Sequence, residues 1–297
     1  NLLPETYSGS DVGRIAKGAA QTLLGQVYLT QKKYSDAVTQ FSAVINDGNY
    51  SLLTNYEDNF SGSLQGNSEA IWQVLFMGGT ADMGSNYPNW CAPSGSDGIL
   101  TGAGGAYGFN QPTLDIYDAY EAGDLRRDAS IGLGYTDRDG IYIPAKYIKL
   151  YVNHDDGDGY LDSDCDWNIF RYAHVYLMCA EALNEVNNGP TAAAYEYINL
   201  VRQRAGLTTD LSGLSQSAFR DAVYQEERLE VAFEGHRWFD LLRTDRAISV
   251  MNSKLGNDPA TTVGPSEAIN ANQLLYPIPA NVIATSSTGT ITQNPGY

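Results

Sequence analysis

Two apolar stripes of helical period, joined by the short segment QKK, set the tightest limit on what this chain can fold into. Ala16, Ala20, Leu23, Leu24 and Val27 recur at helical spacing, and Tyr34, Ala37, Val38, Phe41, Val44 and Ile45 do so again. So short a connection leaves room only for a tight turn, which makes 14–46 an antiparallel helical hairpin. Leu24, Gly25, Tyr28, Ala37 and Phe41 match the spacing of the tetratricopeptide template. There the small residue lets the helices approach, and the large ones fill the groove between them.

A second pair is expected over 171–205. Tyr172, Tyr176, Cys179, Ala180 and Leu183 form one stripe, and Ala194, Tyr197, Ile198 and Val201 form the next. Between them NNGP supplies a helix stop and then a proline start, and Gly206 ends the second helix. A third helical region is expected over 217–247. The fold class that follows is mainly α, with tetratricopeptide-like helical hairpins and long irregular loops. Residues 50–170, rich in Gly, Ser, Asn and Pro with aromatics spaced through them, read as poor core and good binding surface. The tail, 252–297, holds too many prolines and β-formers to read as helix.

Charge excludes several functions. Lys plus Arg is 18 against 35 Asp plus Glu, a formal net charge of −17. Without a basic run to offset it, that balance argues against nucleic-acid binding and against attraction to anionic lipid. The 21 tyrosines suit stacking and hydrogen bonding to neutral polar ligands, and equally suit helix cores. Among the cysteines, Cys179 falls inside a helical stripe and reads as a buried thiol. Cys91 and Cys165 leave a disulfide open in an oxidising compartment. No stretch approaches the roughly 18 apolar residues of a membrane span. The chain starts at Asn1 and runs directly into a helix leader, which reads as the later part of a longer, processed protein.

The stretch ERLEVAFEGHRWFDLLRTDRA, 227–247, concentrates charge in an otherwise apolar helix. Phe219, Ala222, Val223, Glu226, Leu229, Glu230 and Phe233 share one face. Buried carboxylates need cationic or hydrogen-bonding partners, and Arg202, Arg204, Arg237 and Arg243 are candidates. One reading is a glycosidase pair drawn from Glu226, Glu230 and Glu234, which requires an acid of raised pKa and an open cleft. The other is a structural ion-pair lattice. Carboxylates alternating with arginines favour the lattice, because a nearby cation keeps a carboxylate ionised.

NHDDGDGYLDSDCDW carries six aspartates between 155 and 166 but misses the calcium-loop pattern. Asp156, Asp158 and Asp162 remain candidate calcium ligands beside the reading of a solvated acidic loop. GILTGAGGAYG lacks the elements of a phosphate-binding loop. The three histidines lack metal-ligand spacing, and no nucleophile signature is present.

Taken together, ERLEVAFEGHRWFDLLR, RYAHVYLMCAEALNE, INLVRQRAGL and the closing LYPIPANVI…TQNPGY resemble the SusD/RagB family of Bacteroidetes outer-membrane lipoproteins. LLPETYSGSDVGRIAKGAAQTLLGQVYL, EAIWQVLF and YGFNQPTLDIYDAYEAGDLRRDASI resemble it as well. The resemblance runs in order from Leu2 to Tyr297 and implies one SusD-like domain over 1–297 without the family's front section. It further implies a non-enzymatic, surface-exposed protein, held to the outer membrane by an N-terminal lipid absent from this chain. Such a protein passes glycans to a SusC-like TonB-dependent transporter. A peptide-capturing RagB-type role is the alternative. Glycan rings present an apolar C–H face that stacks on Trp or Tyr, so the resemblance points to Trp90, with Tyr87 and Asn89 beside it, then Tyr107 and Trp167. A Trp90 folded under its own loop remains the competing reading. Trp72 alternates with apolar residues and reads as core.

Overall fold

The first hairpin forms where its pattern places it. In the computed structural model α1 (Lys17–Thr30) and α2 (Tyr34–Asn46) pack together, and they cross where Gly25 meets the ring of Phe41. Described are residues 2–79, 83–102, 104–152, 160–254, 267–286 and 291–297. The inward side of α1 is its small side: Ala19, Thr22 and Gly25, with Leu29 at the end. Leu23, Leu24 and Val27, the stripe read from the sequence, stay exposed. Close approach, and not apolar content, selects which face of α1 meets α2.

The chain falls into two units, Asn1–Gly235 and His236–Tyr297. The first continues with β1 (Ala70–Val74), α3 (Tyr87–Cys91), α4 (Leu114–Asp118), α5 (Leu125–Ser130), β2 (Ile131–Thr136) and β3 (Tyr142–Ile148). After them come β4 (Trp167–Arg171), α6 (Tyr172–Val186), α7 (Ala192–Arg204) and α8 (Gln216–Glu230). α6 is the hub: it is buried almost all round and packs on α2, α7 and α8. Its Met178 and Cys179 join Phe41 and Phe170 in one core, while Leu177 joins Ile198 and Phe219 in another. Thr191 and Ser215 cap α7 and α8 by accepting from the N–H groups of Ala194 and Ala218 (3.1 and 3.3 Å). Residues 50–170 are less irregular than expected, since two antiparallel pairs, β1 with β4 and β2 with β3, run through them. Trp72 packs against the first core, 6.3 Å from Phe170.

The single helix expected over 217–247 is instead broken after Glu230. Phe233 and Gly235 take positive φ angles of 69° and 86°. Arg171, on β4, causes the break to hold. Its Nη2 donates to the carbonyl oxygen of Glu230 (2.8 Å), and its Nε and Nη2 grip the Glu234 carboxylate (2.8 and 2.6 Å). A helix C-terminus otherwise leaves such carbonyls without partners.

That grip belongs to a buried lattice. Arg171 also reaches Glu69 and the Glu230 carboxylate (both 2.8 Å), and Arg204 reaches the same two acids. Arg126 holds Asp124, Glu226 and Glu230 (2.7, 2.7 and 3.0 Å), and Arg202 holds Glu121 and Glu226 (2.7 and 3.2 Å). Arg202 and Arg204 thus pair as the sequence suggested, whereas Glu234 takes Arg171, from a distant strand.

In the second unit α9 (Arg237–Arg243) carries an Asp240–Arg243 pair at 2.9 Å, and α10 (Ala247–Ser253) follows. The tail read as non-helical contains, among the described residues, a 3₁₀ turn (Ala271–Leu274) and a short helix, α11 (Ala280–Thr285). Pro279 sits just ahead of its first turn, where a missing N–H is no loss. Among the described residues no helix is long and apolar enough to cross a membrane.

Candidate functional site

α3 is short but firmly anchored. Ser85 exchanges both backbone hydrogen bonds with Ser163 (2.6 and 3.0 Å), and Pro88 supplies the helical φ of the first turn. Asn89 then faces inward and is buried. Its Nδ2 donates to the Gly105 carbonyl (2.9 Å), and its Oδ1 accepts from the Leu161 N–H (3.2 Å). The carbonyls of Asn89, Trp90 and Ala92 accept in turn from the N–H groups of Tyr107, Phe109 and Gly108 (3.0, 2.7 and 2.8 Å). One glycine-rich segment is thereby laid along α3.

The result is a platform of aromatic rings open to solvent. Trp90 is 40 % exposed, Tyr107 41 %, Phe109 57 % and Tyr160 52 %. Tyr107 and Phe109 stack at 5.8 Å and 26°, and the hydroxyls of Tyr107 and Tyr160 are hydrogen-bonded. Gly105, at φ +92°, lets the Tyr160 ring lie where any Cβ would collide with it. Rings held at an open surface suit a neutral ligand with an apolar face.

The other sequence candidates sort differently. Tyr87 and Trp167, with Phe76, Tyr151, Cys165 and Asp166, line a pocket of about 190 Å³. Trp167 stacks on Tyr151 (5.4 Å, 16°), and Tyr87 stands edge-on to both (5.0 and 5.1 Å). The Tyr87 hydroxyl accepts from Asn110 Nδ2 (3.0 Å), so one five-residue helix serves pocket and platform alike. Asn89 is a correction. Read as a ligand contact, it is buried, and its amide is committed to the loops it holds.

Asp156 and Asp158 lie outside the described residues. Asp162 uses Oδ2 to accept from the Gly79 N–H (3.1 Å). Among the described residues no cluster of three or more acidic, His or Cys side chains is arranged to hold a metal ion. Cys91, Cys165 and Cys179 are buried and in no disulfide; the pairing of Cys91 with Cys165 is not formed, although both lie in one apolar cluster. Burial pushes Cys91 up to about 11 and Cys179 to about 12, which leaves both thiols unreactive at neutral pH. Phe109, Tyr160, Tyr151 and Asp166 were missed from the sequence. Phe109 alone carried a signal, as an aromatic among glycines with no pattern to bury it.

The description of the SusD family matches residues 133–297, more than half of the chain. The chain belongs to the SusD family. A SusD relative, SusD-like protein P25 of Formosa agariphila, is 32% identical over 279 residues, covering 81% of this chain and 52% of its own. Surface glycan-binding protein A from Bacteroides fluxus, a solved structure 26% identical, superposes with a TM-score of 0.82 over 100% of this chain and 66% of its own. A solved laminarin-binding SusD-like protein, 28% identical, reaches 0.77 over 99% and 66%. This SusD chain therefore spans between half and two thirds of the length of these relatives.

Proposed function

We propose that this protein captures neutral glycans without altering them and hands them to a partner transporter at the outer-membrane surface. The observation that carries the reading is the platform of Trp90, Tyr107, Phe109 and Tyr160, four solvent-open rings, one on α3 and three on segments tied to that helix. Stacking on the C–H face of a sugar needs such rings, and a chain of net charge −17 favours neutral over anionic ligands. Two SusD relatives bear names that speak of glycan and of laminarin. Family membership supports delivery to a SusC-like transporter and attachment by a lipid anchor.

The carboxylates of α8 fit no hydrolytic role. A glycosidase acid needs a raised pKa and a cleft. Burial would push Glu230 up, but Arg204, Arg171 and Arg126 outweigh it and hold the group at about 2. Glu226 is buried in an ion pair with Arg126, and although burial outweighs Arg171 and raises Glu234, just beyond α8, that carboxylate is buried with both oxygens gripped by Arg171 and faces no open cleft. Gel retardation in laminarin and in other neutral polysaccharides tests the reading. Retardation that Trp90→Ala with Phe109→Ala abolishes supports it; retardation unchanged in that double variant removes the platform from the binding site.

A further inference from the structure

Buried polar atoms are nearly always hydrogen-bonded, and two that belong to residues lining the 190 Å³ pocket are not. Asp166 Oδ2 and Tyr151 Oη have no partner among the described residues, though both are buried. The Asp166 side chain is nonetheless fixed, because its Oδ1 accepts from Gln65 Nε2 and from the Phe76 N–H (both 2.9 Å). A carboxylate oxygen and a phenol are thus left over on two residues that line one aromatic-walled pocket. Their capacities are complementary: the carboxylate oxygen accepts and the phenolic O–H donates.

We propose that this pocket is a second glycan subsite, distinct from the platform, which takes a single sugar ring. One ring hydroxyl donates to Asp166 Oδ2 and another accepts from Tyr151 Oη, while Trp167, Tyr87 and Phe76 flank the C–H groups. An ammonium group matches less well, since it carries no acceptor for the phenolic proton. At about 190 Å³ the pocket is smaller than the roughly 300 Å³ at which ordinary ligand sites begin. It therefore admits a chain end or a branch, and excludes a threaded oligosaccharide. Tyr87 and Trp90 share α3, so one bound glycan lying on the platform has its terminal ring within reach of the same helix.

The proposal rests on the glycan-binding reading, and calorimetry separates the two. Neutral hexasaccharides, a laminarin-derived one among them, are titrated into wild type, Asp166→Asn, Tyr151→Phe and Trp90→Ala. Asn keeps the Oδ1 acceptor and Phe keeps the ring, so both variants preserve the packing, which an unlowered melting temperature verifies. Each pocket variant is expected to lose about tenfold in affinity, the effect of one hydrogen bond to a buried polar group. If Trp90→Ala loses binding while both pocket variants keep it, the subsite is overturned and the platform stands. If the pocket variants weaken and Trp90→Ala does not, the platform falls and the subsite stands. No heat from wild type with any hexasaccharide overturns both. A crystal of the complex with only water in the pocket, which has room for about six molecules, also overturns the subsite.

Discussion

Arg171 donates from Nη1 to the carboxylate of Glu230 and from Nη2 to the backbone carbonyl of the same residue, both at 2.8 Å. One side chain thus neutralises the last residue of α8 and closes the end of that helix. Arg171→Met removes the cation that grips Glu234 and one of the cations that hold Glu69 and Glu230. The expected loss is about 3–5 kcal/mol in urea unfolding, as for other broken buried pairs. Arg171→Lys recovers little, because a point charge cannot make the fork to Glu234. A loss below about 1 kcal/mol for Arg171→Met would show that the lattice is dispensable.

A methyl group at position 25 would lie 2.5 Å from Phe41 Cε1. Gly25→Ala therefore destabilises the protein by about 1–3 kcal/mol through overpacking, even though alanine is the better helix former. Combining it with Phe41→Leu relieves the clash, so the double variant loses less than the two single losses added together. Strict additivity in thermal unfolding would place the clash elsewhere.

Two carboxylates pull stability in opposite directions with pH. Burial, with Asp164 adding to it, pushes Asp166 from 3.8 up to about 6 against the Phe76 N–H that favours its ionised form. A folded-state pKa above the unfolded one means that the folded protein holds the proton more tightly. Stability contributed this way is full below about 4 and is lost as pH rises through about 6. Glu230 has its folded value depressed from 4.5 to about 2, so its contribution is present above 4.5 and is lost as pH falls towards 2. Asp166→Asn should match wild type at pH 4 and exceed it at pH 8, by about 1–3 kcal/mol at most. Urea midpoints at the two pH values read this directly, and equal gaps at both would contradict it.

Asn89 and Trp90 are adjacent but should fail differently. Asn89→Ala removes the amide that secures Gly105 and Leu161, so the melting temperature and glycan affinity fall together. Trp90→Ala removes a ring from an open surface and lowers affinity with a nearly unchanged melting temperature. Thermal scans and calorimetry on the pair distinguish clamp from contact. A stable Asn89→Ala protein with full affinity would refute the clamp.

What the sequence made legible follows the range of the forces involved. The two hairpins could be read because their cause is local: period, turn and small residue all lie within one pair of helices, as at Gly25 and Phe41. The break after Glu230 could not, since Arg171 imposes it from 59 residues away along the chain. Trp90 and Tyr107 stood out as aromatics in loops without a burial pattern. Asn89 looked the same by that criterion, and only the fold shows that its amide turns inward. Tyr160 sits at the edge of the acidic stretch, where charge drew attention away from the ring. Asp166 and Tyr151 become a pair only when β4 is folded beside the segment after β3.

The clamp of Asn89 also bears on how tightly any ligand is held. Because the glycine-rich segment is tied to α3 before anything binds, the proposed glycan would meet rings already held in place and little chain freedom would be surrendered on contact. Preorganisation of this kind moves affinity towards the limit set by stacked area alone. It also gives a complex whose heat-capacity change reports buried rings, with no added signature of a loop becoming ordered.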